Sequence, residues 1–274
     1  MHIDKTYLQK LEIYDEFIKS EINIELIQSI ANDFSENRTS YEEKSKDLAR
    51  YISTFERVHL THSRVKTLDG LIKKIIRKSL DGRTISLENY KMEITDLIGV
   101  RALHVFKSDY LPVHAQIMKN FKSMLRENVH VNLRPGDSID IYSGIHDPHP
   151  HRDSDYRSIH YIITPDGDNG PRAEIQVRTL FEEGWSEINH QLLYNVKPTE
   201  MNVLLRHASS ILSALAGDCD TLGELMNKIS QYHELGKGTI IETSPSSTDL
   251  PDTKILASEG KSLVDIMEEF LNGK

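Results

Sequence analysis

YRSIHYIITPDGDNGPRAEIQVRTLFEEGWSEINHQLLY, residues 156–194, reads as a strand, a turn, a second strand and a helix. Ile159, Tyr161 and Ile163 alternate with Ser158, His160 and Ile162, the period-two pattern of a strand, and the Pro/Asp/Gly cluster at 165–171 ends it. In the next strand Ile175 and Val177 point one way while Glu174, Gln176 and Arg178 point the other. Thr179 and Glu182 stand at capping-box spacing, so a helix begins there, with Phe181, Trp185, Ile188 and Leu192 as its apolar stripe. His190 and Tyr194 sit one turn apart, off that stripe. One strand face therefore offers a carboxylate, an amide and a guanidinium, and the helix adds an imidazole and a phenol. That is more aligned polarity than a core strand carries, and it points to a site.

Upstream, residues 59–66 read as a strand, and Asp69 is placed to cap the helix that follows. Ile72, Ile75 and Ile76 face inward on that helix, while Gly70, Lys74, Arg77 and Lys78 share another face. A cationic helix face is often merely solvated. Here it continues two alternating cations of the strand, Arg64 and Lys66, and the combination suits a polyphosphate. A further strand runs over residues 97–106 with Arg101 inside its apolar run and Asp96 at its entry, either a turn residue or a metal ligand. The carboxylates Asp96 and Glu174 with these cations describe a nucleotide-phosphate site with Mg²⁺, since hard carboxylate oxygens and phosphates are what that ion accepts. The chain has neither a Gly-x4-Gly-Lys-[Ser/Thr] loop nor a Gly-x-Gly-x-x-Gly, so P-loop and Rossmann folds are poor candidates.

The flanks are helical by period. Residues 7–30 and 41–57 form two expected helices separated by a polar break at 32–40, and Ser108 is placed to cap another through about 126. Short strands are expected at 129–133 and 138–142. The stretch 145–155, with His146, His149, His151, Asp147, Asp153 and Asp155, matches no metal-ligand spacing and reads as a mobile flap beside the site. After Pro198 a helix is expected to bury Leu204, Leu205, Ile211, Leu212 and Leu215, resuming over 221–232. Residues 1–240 then form the main domain, and 241–274 a polar linker with a short amphipathic tail helix carrying Leu263, Ile266, Met267 and Phe270.

Of the 274 residues, 38% are hydrophobic and 27% charged, the balance of a soluble globular protein. No apolar run reaches membrane-span length and the start lacks a signal-peptide core, so a cytoplasmic location without membrane contact is expected. The single cysteine, Cys219, excludes an intramolecular disulfide. A net charge of −9 argues against broad nonspecific nucleic-acid binding.

The strand Tyr-Arg-Ser-Ile-His at 156–160 and the strand Glu-Ile-Gln-Val-Arg-Thr at 174–179 resemble the two hallmarks of the synthetase domain of the RelA/SpoT family, which makes the alarmones ppGpp and pppGpp. Arg64-x-Lys66-x7-Lys74 is similar to that family's ATP-binding pattern, and Asp-Leu-Ile-Gly-Val-Arg at 96–101 to its metal-binding strand. The resemblance covers Arg64 to Tyr194 and implies a single-domain small alarmone synthetase, a nucleotidyltransferase-like α/β (α+β) fold with a mixed sheet of about five strands flanked by helices. It implies that Arg64, Lys66, Lys74, Arg77, Lys78 and Arg101 bind ATP, and that Asp96 and Glu174 hold Mg²⁺ and carry the catalysis. Tyr156, stacking on guanine, would line the acceptor side with His160, Gln176, Arg178 and His190. The implied reaction moves pyrophosphate from ATP to the 3′-hydroxyl of GDP or GTP, in a homo-oligomer. The alternatives are a toxin-type relative that modifies the 3′ end of tRNA and an idle nucleotide-sensing module. Gly70 replaces a usual serine, implying looser ATP contacts, and Asp155 a usual glycine, implying another path for the guanine loop. The hydrolase domain of bifunctional members is expected to be absent.

Overall fold

Two short helices, Lys5–Lys10 (α1) and Tyr14–Ser20 (α2), lead into a 29-residue helix, Ile24–Ile52 (α3), in the computed structural model of the chain. Strand Leu60–Val65 (β1), helix Leu68–Leu80 (α4), a single turn at Tyr90–Glu93 (α5), strand Ile98–His104 (β2) and helix Tyr110–Phe121 (α6) follow. Then come strands His130–Asn132 (β3), His149–His151 (β4), Ser158–Ile163 (β5) and Ala173–Thr179 (β6), and helices Leu180–Leu193 (α7) and Glu200–Gly236 (α8). The structure describes residues 2–137, 139, 142, 145, 149–151, 155–167, 170–193 and 200–236.

The strands form one sheet in the order β1-β2-β6-β5-β3-β4. β2 runs parallel to β6 and β3 to β4, and the other neighbours are antiparallel. This is the mixed, helix-flanked sheet that the resemblance implies, with β4 as a short extra edge strand. Register decides which residues share a face, because paired residues lie side by side and every second residue returns to the same side. One row runs Arg64, Gly99, Glu174, Ile162, and the next runs His62, Arg101, Gln176, His160, His130. The opposite face is apolar. Ile98, Val100, Ile175, Val177, Tyr161 and Ile163 are buried in one core with Phe34 of α3 and Val113 and Ile117 of α6. Each such side chain contributes about 1.5–3 kcal/mol by leaving water. The Tyr161 hydroxyl within this core is met by His114 Nδ1 at 2.8 Å.

The helices depart from the sequence reading in instructive ways. α3 runs unbroken through the polar stretch at 32–40, since that stretch has no Gly or Pro and Phe34 within it is buried. The breaks fall instead at Glu12 and Glu21, both left-handed (φ 58° and 54°), and Asn23 caps α3 by accepting from the Glu25 N–H at 2.8 Å. Thr67, not Asp69, caps α4, its hydroxyl accepting from the Gly70 N–H at 3.1 Å. A Cβ on Gly70 would sit 3.0 Å from that hydroxyl, so a serine there would crowd the cap. The helix expected from Ser108 begins at Tyr110 after a 3₁₀ turn. The capping box of α7 is realised in both directions: the Thr179 N–H donates to Glu182 at 2.8 Å and the Glu182 N–H to Thr179 Oγ1 at 3.1 Å.

The stripes expected to bury α7 and α8 do not. On α7 only Trp185 of its stripe is buried, and Phe181, Ile188 and Leu192 are about half exposed. On α8 Leu204, Ile211 and Leu215 face out, while Ser213, Ala216 and Asp220 face in. His149–His151 pairs as a strand rather than forming part of a loop. Ile139 and Tyr142 are not in a strand. The rest of 138–154, Tyr194, the linker and the tail helix lie outside the described residues.

Candidate active site

The polar face of the sheet opens on a cavity of about 720 Å³ whose walls come from β1, α4, α7 and α2. Arg64, Lys66, Lys73, Lys74, Arg77 and Arg101 line it, with Asp96 at its floor. Alternation along β1 and the residue just after it puts Arg64 and Lys66 on one side, and the α4 period carries Gly70, Lys73, Lys74 and Arg77 over the same opening. Asp96 Oδ2 accepts from Lys66 Nζ at 2.6 Å and Oδ1 from Lys74 Nζ at 2.7 Å, while Arg64 Nη2 stands at 3.5 Å. Burial alone would raise the Asp96 carboxyl, but the Lys74 and Lys66 charges outweigh it and hold it well below the usual range. Burial pushes the Lys66 ammonium down, and Asp96 offsets part of that. Three cations around one carboxylate leave an excess of positive charge in a partly desolvated place, which suits a polyphosphate.

Beside the cavity, along β6, Glu174 is held by two lines of contact that both start at Arg178. In one, Arg178 Nη2 donates to the Tyr156 hydroxyl at 2.6 Å, which meets His160 Nε2 at 3.1 Å, and His160 Nδ1 meets Glu174 Oε1 at 3.1 Å. In the other, Arg178 donates to Gln176 Oε1, and Gln176 Nε2 donates to Glu174 Oε2 at 2.6 Å. Burial would raise the Glu174 carboxyl; the His160 charge and hydrogen bond, with Gln176, bring it down to about 2. Arg178 is itself buried, its guanidinium 5.0 Å from the Tyr156 ring centroid and 3.1 Å from Glu183. It thus holds other side chains instead of facing an open site.

The structure brings Arg64, Lys66, Lys74, Arg77, Arg101 and Asp96 together, and separately Tyr156, His160, Gln176, Arg178 and Glu174. Lys78 stays outside: it is not on the cavity wall and pairs with Glu93 at 3.7 Å. His190 joins the cavity rim next to Glu187 instead of the Tyr156 group. Lys73 is the cation that the sequence reading passes over, although 66, 70, 73, 77 is the better helical stripe. Glu183 and Glu187, one helical turn apart, clasp Arg101 at 2.8 and 2.5 Å. Ile13, just before α2, and Glu16 of α2, which nothing in the sequence marks, also line the cavity. Mg²⁺ fits what is present. Asp96 and Glu174 are carboxylates on the polar side of the sheet, the hard-oxygen donors that Mg²⁺ accepts, and substrate phosphates and water would complete the shell.

A family model described as the region found in RelA / SpoT proteins matches residues 63–199, which span both groups. GTP pyrophosphokinase YwaC of Bacillus subtilis (strain 168) is 27% identical over 219 residues, covering 77% of this chain and 92% of the relative. GTP pyrophosphokinase YjbM of the same organism is 25% identical over 203 residues, 71% and 86% of the two chains. Among solved structures, the small alarmone synthetase 1 of Bacillus subtilis bound to its product pppGpp is similar over 71% of this chain and 92% of its own, at 24% identity and a TM-score of 0.46.

Proposed function

The chain belongs to the RelA/SpoT family, and on that premise we propose that it transfers pyrophosphate from ATP to the 3′-hydroxyl of GDP or GTP, releasing AMP. Two relatives named GTP pyrophosphokinase support this reading. The observation that carries it is a partly buried Glu174, held from both sides by His160 and Gln176, next to a cavity walled by cations.

In this reading the ATP triphosphate lies against Lys66, Lys74, Arg64 and Arg77, where charge neutralisation and alignment supply most of the catalysis. Mg²⁺, held by Asp96 and Glu174, would neutralise phosphate charge there. Arg101, fixed by Glu183 and Glu187, and His190 border the nucleotide. The Tyr156 ring packs on guanine, and its hydroxyl, committed to Arg178 and His160, keeps the ring in one place. Glu174 takes the proton of the acceptor 3′-hydroxyl as that oxygen bonds to the β-phosphorus. The bond from the β-phosphorus to the oxygen bridging it to the α-phosphate breaks, and AMP leaves with that oxygen. Arg178 and Gln176 act from behind, as positioning residues.

The same proposal includes a homo-oligomer in the cytoplasm; among the described residues no helix is long and apolar enough to cross a membrane. Incubating the protein and Mg²⁺ with ATP labelled at the γ-phosphate, and with GDP, GTP or tRNA in parallel, tests the reaction. Label on GDP or GTP with matching AMP is the expected result. Label on tRNA alone overturns the acceptor, and no transfer in any arm overturns the enzyme.

A further inference from the structure

The first twenty residues are more than a support. α2 packs along α4, and Ile13 and Glu16 stand in the wall of the same cavity as Lys73, Arg77 and Leu80. Two features hold that wall. The backbone between α1 and α2 turns through the left-handed Glu12 directly before Ile13, a conformation uncommon for a residue with a side chain. Tyr7 of α1 donates a short hydrogen bond to Asp69 Oδ1, in the first turn of α4 next to Thr67 and Gly70. Behind this, Ile3 and Leu8 are buried with Ile27, Ile72 and Ile76, so the wall is anchored to α3 and α4 by its own small core.

The cations on this wall are not all committed to a partner. Lys66 and Lys74 are taken up by Asp96, whereas Lys73 and Arg77, on the same cavity wall, make no ion pair among the described residues. Glu16, exposed on α2, is the acidic group of the opposite wall. Arg77 is three residues beyond Lys74, about 4.5 Å along the helix, a distance on the scale of one phosphate.

We propose that α1 and α2 form a wall of the donor-nucleotide pocket and set donor affinity. Ile13 packs on the bound donor, Glu16 opposes its negative charge, and Tyr7, through Asp69, positions the first turn of α4. This rests on the donor reading of the cavity given above. Glu16 makes the sharpest case, because removing it strengthens binding instead of weakening it: one charge fewer beside a polyphosphate reduces repulsion without touching the core.

The test is equilibrium binding of the α,β-methylene analogue of ATP, which cannot be split between its first two phosphates, to the full chain and its variants. Glu16→Gln is expected to tighten it about threefold at low salt, an effect that fades as ionic strength rises. Ile13→Ala should weaken it about fivefold, the size of one lost apolar contact, and Tyr7→Phe about threefold. GDP affinity should not move in any of them. Ile18→Ala, on α2 but outside the cavity wall and 55% exposed, should behave as wild type. If Ile13→Ala fails to fold, Glu16→Gln and Tyr7→Phe decide. Unchanged analogue affinity in both overturns the inference, provided that Lys74→Ala still weakens binding. If Lys74→Ala also has no effect, the donor reading itself has failed.

Discussion

Glu174 sits where two hydrogen-bonded lines from one buried guanidinium converge, so its direction is fixed through His160 and Gln176 by the same group. Glu174→Gln keeps the shape and removes the base. Proton abstraction by a positioned carboxylate contributes roughly 10²–10⁴-fold, and turnover should fall by at least that much, since a metal ligand goes with the base, with near-ultraviolet dichroism preserved. Turnover within tenfold of wild type would remove Glu174 from the chemistry. Tyr156→Phe separates ring from hydroxyl: the ring that packs on guanine stays, and the line through His160 is cut. The acceptor KM should hold within about twofold while kcat falls about tenfold. Tyr156→Ala should instead raise the acceptor KM, since base–aromatic contact is worth about 1–3 kcal/mol. Most of this group was legible at residue level, because alternation alone puts Glu174, Gln176 and Arg178 on one face. Arg178's burial was not, for it depends on Glu183, five residues on and in another element. The same holds for Arg101, whose partners come from α7.

α8 inverts the usual relation between a helix and its domain. Its inward face is small or polar: Ser213 meets Arg157, Asp220 accepts from the Thr179 hydroxyl at 2.9 Å, and Ser209 holds the Trp185 indole. Gly217 belongs to this face because a Cβ there would lie 3.0 Å from Arg157 Nη2. Periodicity locates such a stripe without saying which side is in, so the rule that apolar residues face the core placed Leu204, Ile211 and Leu215 of α8 and Phe181, Ile188 and Leu192 of α7 on the wrong side. The strands escaped this error: their apolar face is nearly uninterrupted, and period two leaves one alternative. Asp220 supplies a pH test. Burial, and then the Glu182 charge, push its carboxyl up to about 7, above the 3.8 of a free aspartate, while Thr179, Lys107 and Arg157 pull the other way. The folded chain therefore keeps a proton that the unfolded chain releases. The resulting stability is full below about pH 4 and lost as pH rises through 7. Asp220→Asn carries no such charge, so its melting temperature should gain on wild type by roughly 4–8 °C between pH 5 and pH 8. A constant difference across that range would show that Asp220 titrates like an exposed aspartate.

At the scale of the molecule, the inverted helices leave an apolar surface for which the described residues offer no cover. Leu204, Ile211, Leu215, Leu222 and Met226 are each at least half exposed. They repeat every eleven residues, Leu204 to Leu215 to Met226 and Ile211 to Leu222, a spacing of 3.67 per turn that keeps them on one side of a nearly straight helix. The stripe is about 33 Å long at 1.5 Å per residue. The apolar segment Leu263–Leu271 of the tail, even if wholly helical, would reach about 13 Å and leave more than half of it uncovered. A second copy presents the same stripe at full length, and a two-fold axis lets α8 pack along its own counterpart. Such a contact is apolar, so 0.5 M salt should not loosen it. Light scattering should then give a mass at least twice the 31.4 kDa of one chain. Leu215→Glu places a charge at the middle of the stripe and should return the mass to that of one chain, whereas Ile18→Glu, on an exposed face of α2, should leave it unchanged. Wild type at 31.4 kDa, or Leu215→Glu at an undiminished mass, would refute self-association through α8.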